Sequence, residues 1–109
     1  MTTDYVEFRL PVKIPYYEGT KVLDGLQYKV TVRWNNTSEK WYMDLTQVAD
    51  SSISIKGMAL LPGRDLLGSH GYGHILGELW VEDSAGTTDN PTYDGMGDRW
   101  RLRYYPITG

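Results

Sequence analysis

The sequence predicts an all-β fold, a small antiparallel β-barrel or β-sandwich of six or seven short strands. Residue types that suit a pleated surface (Thr, Tyr, Val, Ile, Trp and Phe) occupy 36 of the 109 positions, whereas Ala and Glu, which favour helices, occupy three and five. Several segments also alternate apolar and polar side chains, with turn residues between them. This length suits one domain, so we expect a single β domain over residues 1–109 with its core within residues 5–105.

The first alternating segment covers residues 6–14 and predicts a strand. Pro11 and Pro15 cannot donate a hydrogen bond to a neighbouring strand, so we expect this strand at the edge of a sheet. Residues 16–20 then predict a turn or loop.

The clearest strand prediction covers residues 26–34, which follow an Asp24-Gly25 turn signal. A polar turn over residues 35–38 separates it from a further strand. Two strands joined by a short polar loop predict an antiparallel hairpin, with Trp34 and Trp41 facing each other near its closed end.

Residues 53–61 predict a short strand that Gly57 interrupts as a bulge or a bend. One helical turn is expected over residues 64–67, followed by a Gly-rich loop over residues 68–74.

Two more strands are predicted towards the C-terminus, over residues 76–82 and 99–105, with a polar loop over residues 87–97 between them. In the first of these strands Trp80 is out of phase with its apolar neighbours, so it faces away from the core. The core is therefore predicted to consist of the in-phase apolar positions Phe8, Leu10, Tyr28, Val30, Val32, Trp34, Trp41, Met43, Leu45, Leu79, Val81, Trp100 and Leu102.

Charge and composition exclude several classes of function. The formal net charge is −3, from 11 basic and 14 acidic residues, so the chain has no overall basic surface for phosphate groups. The chain has no cysteine, which excludes disulfides, thiolate zinc sites and cysteine nucleophiles. No apolar run is long enough to span a membrane, and residues 1–10 lack the apolar centre of a signal peptide. We therefore expect neither a membrane-spanning segment nor a signal peptide.

Two segments carry side chains that could bind a metal ion. His70, His74 and Glu78 have i, i+4, i+8 spacing, but three intervening glycines disfavour the helix that would align them, and exposed loop histidines are the preferred interpretation. The acidic loop over residues 89–98 does not follow the EF-hand register, and aspartates at turns usually cap their own backbone. We therefore predict no metal and no cofactor.

No catalytic motif is present. The sequence has no nucleophile elbow, no paired-carboxylate motif and no Gly-rich phosphate loop between a strand and a helix. We therefore do not expect an enzyme.

An ordered set of motifs spanning residues 5–105 resembles the baseplate plug proteins of contractile-tailed phages, a family first described from a cyanophage. The motifs are Leu23-Asp24-Gly25 with Tyr28, Arg33-Trp34-Asn35, Trp41-Tyr42-Met43-Asp44-Leu45, Leu61-Pro62-Gly63-Arg64-Asp65-Leu66-Leu67, Gly77-Glu78-Leu79-Trp80-Val81-Glu82-Asp83, Pro91-Thr92-Tyr93-Asp94 and Gly97-Asp98-Arg99-Trp100-Arg101-Leu102.

The resemblance implies a non-enzymatic structural component of the virion, located in the tail baseplate, where it braces or closes the central channel near the junction of hub and tail tube. It implies contacts with other baseplate proteins: the hub, the tail tube, the spike or wedge, and the C-terminus of the tape-measure protein. A three-fold or six-fold ring is expected, with a trimer preferred, and no nucleic-acid specificity and no membrane contact.

The interface is predicted from polar loops that match the family and from side chains outside the core. Three arginines share one strand face, where like charges repel unless carboxylates lie opposite, so they suggest a partner surface. Aromatic side chains outside a core are also typical of interfaces. The predicted interface residues are Arg64, Asp65, Tyr72, His74, Trp80, Tyr93, Asp94, Arg99, Arg101 and Arg103.

Two other functions compete with this interpretation. A small aromatic-rich β-sandwich could be a carbohydrate-binding module that stacks sugars on Trp80. An oligonucleotide-binding barrel could use the aromatic side chains and the arginine row, although the net charge of −3 weighs against it.

Overall fold

The computed structural model describes residues 5–69 and 77–106, which form two antiparallel sheets and a short helix. One sheet has three strands in the order β1-β7-β6, and the other has four in the order β2-β3-β4-β5. The sheets form a sandwich and do not close into a barrel, so the all-β prediction is confirmed and the sandwich is the correct alternative. The elements are β1 (Val6–Phe8), β2 (Tyr16–Leu23), β3 (Leu26–Asn35), β4 (Lys40–Gln47), β5 (Ser54–Ala59), α1 (Leu66–Ser69), β6 (Glu78–Asp83) and β7 (Trp100–Tyr105).

The four-stranded sheet is built from consecutive hairpins. Asp24 and Gly25 join β2 to β3 and both have positive φ, 51° and 81°, which is the backbone of a type I′ turn. The predicted hairpin of β3 and β4 is also present, and Trp34 lies directly opposite Trp41 with the ring centroids 5.4 Å apart. Turn chemistry and cross-strand aromatic contact therefore fix the register of this sheet.

The N-terminal prediction was wrong in two respects. The strand over residues 6–14 ends at Phe8, and Val12 and Ile14 are exposed, because the backbone of Trp100, which would pair with the continuing strand, is bonded to Gly95 and Gly97 instead. Residues 16–20, predicted as a loop, instead belong to β2 and pair with β3. The expected edge position of the first strand is confirmed, since within the described residues β1 has the single neighbour β7.

The three-stranded sheet has β7 at its centre, flanked by β1 and β6. In β6 the side chains of Leu79 and Val81 are buried while Trp80 lies on the outer face, as its phase predicted. The predicted helical turn is present two residues later, as α1. Residues 70–74 of the predicted Gly-rich loop lie outside the described residues. No helix in the described part of the chain is long and apolar enough to cross a lipid bilayer.

The predicted interruption at Gly57 is a β-bulge. Pairing between β4 and β5 shifts register between Met43 and Leu45, and Gly57 adopts a φ of 66°. The Gly57 N–H donates to Asp44 Oδ1 over 2.7 Å, and Arg33 lies 3.0 Å from the other carboxylate oxygen. Burial raises the pKa of Asp44, but these two partners outweigh it and hold the pKa below its usual value. The bulge is thus fastened to its neighbouring strand by a charged group.

The core lies between the two sheets. Of the predicted core residues, Trp34 is partly buried and the others are buried. Within it the Gln47 side chain donates from Nε2 to the Tyr28 hydroxyl over 3.0 Å, which satisfies a buried amide. Across residues 5–69 and 77–106, every buried side-chain nitrogen and oxygen has a hydrogen-bond partner. The core also contains residues that the sequence analysis did not select, namely Leu23, Ile55, Met58, Leu60, Leu66, Leu67, Met96 and Tyr104.

Candidate interaction surfaces

The outer face of the three-stranded sheet carries a ladder of alternating charges. Arg101 and Arg103 project from the central strand β7, with Glu7 on β1 to one side and Glu82 on β6 to the other. Glu7 accepts from both arginines, at 3.1 Å from Arg101 and 3.3 Å from Arg103. Arg103 also lies 2.9 Å from Glu82. The carboxylates that we expected opposite the arginines are therefore supplied by the chain itself.

Aromatic rings complete the surroundings of Arg103. Its guanidinium lies 4.6 Å from the centroid of the Tyr5 ring, within reach of a cation–π interaction. The Tyr105 hydroxyl lies 2.9 Å from one oxygen of Glu82. Burial raises the pKa of Tyr105 and the Glu82 carboxylate adds to it, so this hydroxyl keeps its proton and acts as a donor. We call the five side chains Glu7, Glu82, Arg101, Arg103 and Tyr105 the charged ladder.

Arg99, at the end of the same face, forms a two-pronged ion pair with Asp83. Its Nε and one terminal nitrogen lie 2.8 Å from the two carboxylate oxygens. The hydrogen bonds from Arg99 are the main reason that the pKa of Asp83 lies well below its usual range. Asp83 also accepts from the Ala85 N–H at 2.9 Å and from the Thr87 hydroxyl. Arg99 therefore helps to hold the turn that follows β6.

Trp80 lies on this face in a shallow cleft of about 300 Å³ lined by Glu78, Trp80, Glu82 and Tyr105. Its indole N–H donates to Glu78 Oε1 over 2.9 Å, which fixes the orientation of the ring. A half-buried ring beside two carboxylates is suited to contact with a cationic or hydroxyl-bearing group.

A second cluster of aromatic rings closes the turn end of the β3–β4 hairpin. The Tyr93 ring stacks on that of Trp41, with an interplanar angle of 3° and centroids 6.0 Å apart, and it also contacts Trp34. The Tyr93 hydroxyl donates to the Lys13 carbonyl over 2.6 Å. Tyr93 therefore joins its own loop to the segment before β2, while the neighbouring Asp94 is exposed.

The predicted interface residues Arg64 and Asp65 lie before α1 and have different surroundings. Arg64 is exposed. The Asp65 carboxylate accepts from the Leu67 N–H at 3.2 Å, which caps the helix, and from the Leu79 N–H at 3.0 Å, on the free side of β6. Asp65 therefore has a structural role in the fold.

Three of the candidate loop residues, His70, Tyr72 and His74, lie outside the described residues. Glu78 is therefore the one member of the possible histidine and glutamate site that the structure describes. Among residues 5–69 and 77–106, no group of three histidine or acidic side chains could hold a metal ion.

A comparison with known protein families identifies the chain. The family model described as Cyanophage baseplate Pam3 plug gp18 matches residues 6–107. The chain belongs to this baseplate plug family. Membership confirms the resemblance seen in the sequence and the expected location in the tail baseplate of the virion. A search of the curated proteins found no match.

As a member of the plug family, the chain is a structural baseplate component that contacts other baseplate proteins. The predicted interface residues that the structure describes fall in three places. The outer face of the three-stranded sheet carries Trp80, Arg99, Arg101 and Arg103. Arg64 and Asp65 lie before α1, and Tyr93 and Asp94 lie near the β3–β4 turn. Which of these places meets a neighbour stays a prediction.

Glu7, Glu82 and Tyr105, which complete the charged ladder of this plug-family chain, were not among the interface residues predicted from the sequence. All three lie on the polar phase of their strands, so the alternation assigns their side chains to the outer face. Their position beside the arginines follows from the strand order as well.

Proposed function

We propose that this plug protein braces or closes the central channel of a contractile-tail baseplate, near the junction of the hub and the tail tube. The observation that carries the proposal is the family match, which covers residues 6–107. The protein acts by contact with its neighbours and not by catalysis.

The internal connections of the sandwich support a bracing role. Charged groups on the outer faces are paired within the chain, as in the charged ladder and the Arg99–Asp83 pair. The bulge in β5 and the loop at Tyr93 are each fastened to another element by a hydrogen bond. A protein connected in this way can bind a neighbour with little rearrangement, because few of its polar groups have to find a new partner.

The expected neighbours are the hub, the tail tube, the spike or wedge, and the C-terminus of the tape-measure protein. Copies placed around the tail axis form a three-fold or six-fold ring, with a trimer preferred, in which each contact joins two different surfaces. Trp80 and Arg64 are the best-placed contact residues, since Trp80 lines a cleft on the outer face of the three-stranded sheet and Arg64 is exposed just before α1.

The test is complementation of a phage that lacks this gene, with purified virions analysed by mass spectrometry and by cryo-electron microscopy of the baseplate. We expect the wild-type protein in every tail, with its density on or next to the channel axis. Density confined to the periphery of the baseplate, or absence of the protein from intact virions, would contradict the proposal.

Matched variants separate contact from folding. We expect Trp80→Ala and Arg64→Ala to reduce incorporation into virions, while Lys56→Ala, an exposed residue on β5, leaves it unchanged. Thermal unfolding of each purified variant shows whether the domain is intact. If folded Trp80→Ala and Arg64→Ala were incorporated like Lys56→Ala, these two residues would not form the contact surface.

The carbohydrate-binding alternative rests on the cleft at Trp80, where an indole ring lies beside Glu78 and Glu82. A glycan array with the wild-type protein and Trp80→Ala distinguishes the two functions. A glycan retained by the wild type and lost by the variant would favour the binding module, and we expect none.

A further inference from the structure

The four outer edges of the two sheets differ in how well they are protected from pairing with another strand. β1 has only three residues and is followed by Pro11. The free side of β6 is bonded at the Leu79 N–H by Asp65, and α1 packs beside it. β5 is distorted by the bulge at Gly57. These are the usual means by which proteins block sheet edges.

The edge strand β2 is not short, capped or bulged, and of the usual protections it has charged side chains, Glu18 on its outer face and Lys21 on its inner face. It has eight residues, contains no proline, and pairs with β3 without a register shift from Tyr16 to Leu23. The Trp34 N–H donates to the Pro15 carbonyl over 2.9 Å, which fixes the hydrogen-bonding phase of the hairpin. In an antiparallel pair the bonded positions alternate, so the odd-numbered residues of β2 face β3. The N–H and C=O groups of Tyr16, Glu18, Thr20 and Val22 therefore point away from the sheet.

These outward groups form a regular row along the edge. Among residues 5–69 and 77–106, no backbone hydrogen bond reaches the row. Each end of the row carries an exposed apolar side chain: Tyr16 is 53% exposed at one end and Val22 is 54% exposed at the other. The edge therefore offers both a backbone template and apolar contact area to a further strand.

We propose that two copies of this chain pair antiparallel through their β2 edges, about a two-fold axis at Gly19, and so form one continuous sheet. In this register the Tyr16 of one copy lies opposite the Val22 of the other, and Glu18 lies opposite Thr20. The contact is isologous, because the same edge is used on both copies. This two-fold contact is separate from the ring contacts of the proposed function, which join two different surfaces, and it does not rest on them.

The charges of the edge select a second copy in this register. A shift of two residues in one direction places Glu18 opposite the Glu18 of the other copy, where like charges repel. The opposite shift places Glu18 against the apolar Val22 and leaves Tyr16 without a cross-strand neighbour. In the proposed register no like charges are opposed, and both apolar ends of the row are covered.

The inner face of the edge fits the same arrangement. Gly19 has no side chain, and the Tyr17 ring lies across it. In the proposed register Gly19 meets Gly19 at the axis and Lys21 lies opposite the Tyr17 of the other copy, which allows a cation–π interaction. On this inner face, no side chain therefore stands between the two strands at the axis.

The test is sedimentation of the purified full chain over a range of concentrations, with two charge variants at one position. Thr20→Glu places a glutamate opposite Glu18 of the other copy, twice per dimer, and we expect it to weaken the dimer about ten-fold. Thr20→Lys places an opposite charge there, and we expect a tighter dimer than that of the wild type.

Thermal unfolding of the same two variants separates an effect on the contact from an effect on the fold. Within the monomer, position 20 lies opposite Lys29 and on the same face as Glu18, whose carboxylate is 3.5 Å from Lys29 Nζ, so a new charge there has one favourable and one unfavourable neighbour. Weaker dimerisation of Thr20→Glu with unchanged or higher thermal stability therefore supports the edge contact.

Proline at the same position tests the backbone part of the contact. Because the Thr20 N–H points away from β3, Thr20→Pro removes one outward donor and keeps the bonds to β3, so we expect it to abolish the dimer, whereas Thr20→Ala retains it. A wild-type chain that is monomeric at all concentrations overturns the proposal. A dimer that Thr20→Pro leaves intact, or that both charge variants weaken equally, overturns the edge and the register.

Discussion

The buried hydroxyl of Tyr104, on β7 of the three-stranded sheet, donates a hydrogen bond to the carboxylate of Asp24, in the turn between β2 and β3 of the four-stranded sheet. The same oxygen accepts from the Gly77 N–H at 2.7 Å, just before β6. Burial raises the pKa of Tyr104, and the Asp24 carboxylate adds to this, so the hydroxyl keeps its proton as a donor. One oxygen atom thus joins both layers of the sandwich.

We therefore expect Tyr104→Phe to lower the free energy of unfolding by about 2 kcal/mol, because it removes a bond to a charged group and leaves a buried N–H without its acceptor. Urea unfolding measures this change. Tyr105→Phe is the matched control, because its hydroxyl binds Glu82 at the partly exposed outer face and its loss should cost less than about 1 kcal/mol. Equal costs for the two variants would show that the inter-sheet bond contributes little.

Gly95 packs directly under the indole of Trp100. A Cβ atom at position 95 would overlap the six-membered part of this ring, and Trp100 is buried with its Nε1 donating to the Asp89 carbonyl at 3.1 Å. We expect Gly95→Ala to destabilise the domain by about 1–3 kcal/mol, because the ring cannot move without breaking its own contacts. Asp94→Ala, at the exposed neighbouring position, should change stability by no more than about 0.5 kcal/mol. Unfolding followed by tryptophan fluorescence distinguishes the two.

The ion pair of Asp83 with Arg99 predicts a loss of stability in acid. The pKa of Asp83 in the folded chain lies below its value in the unfolded chain, mainly through the hydrogen bonds from Arg99. The unfolded chain therefore takes up the proton first as the pH falls, so the stabilisation is complete above about pH 4 and is lost progressively below it. We expect Asp83→Asn to show a smaller decrease in unfolding free energy between about pH 5 and pH 2 than the wild type does. An Asp94→Asn control with the same slope as Asp83→Asn would contradict this assignment.

The Glu7 carboxylate is the shared acceptor of the charged ladder. Because it binds both Arg101 and Arg103 and belongs to the shortest strand, we expect Glu7→Gln to loosen β1. The pairs are partly exposed, so the loss of unfolding free energy should be modest, about 0.5–1 kcal/mol. Hydrogen exchange of the β1 amides is the more sensitive measurement, and Glu39→Gln, an exposed turn residue, serves as the control. Unchanged exchange in β1 would show that the ladder does not retain this strand.

The parts of the fold that the sequence predicts are those with strong local signals. Asp24-Gly25 defines its turn by backbone preference, and Trp34 and Trp41 define the hairpin that follows. β2 has no such signal, because its exposed row mixes Tyr16 and Val22 with polar residues and its inner row contains a glycine and a lysine. The alternation through Val12 and Ile14 predicted a longer first strand, but the backbone groups of Trp100 that this strand would need are bonded within the chain to Gly95 and Gly97.

The candidate surfaces show the same division between local and distant information. The sequence places the arginines of β7 on one face because they are two residues apart. It does not show that Glu7, 94 positions before Arg101, will lie beside them, because that depends on the strand order β1-β7-β6. Family resemblance supplied the function, since no local motif in the chain encodes a baseplate contact.

The neutralisation of the arginines within the charged ladder has a consequence for how this face would meet another protein. A surface whose charges cancel at short range projects little field beyond a Debye length, about 8 Å at physiological ionic strength. Such a surface gains little from electrostatic steering, so we expect the rate of any association through this face to change little with added salt, and recognition to depend on shape.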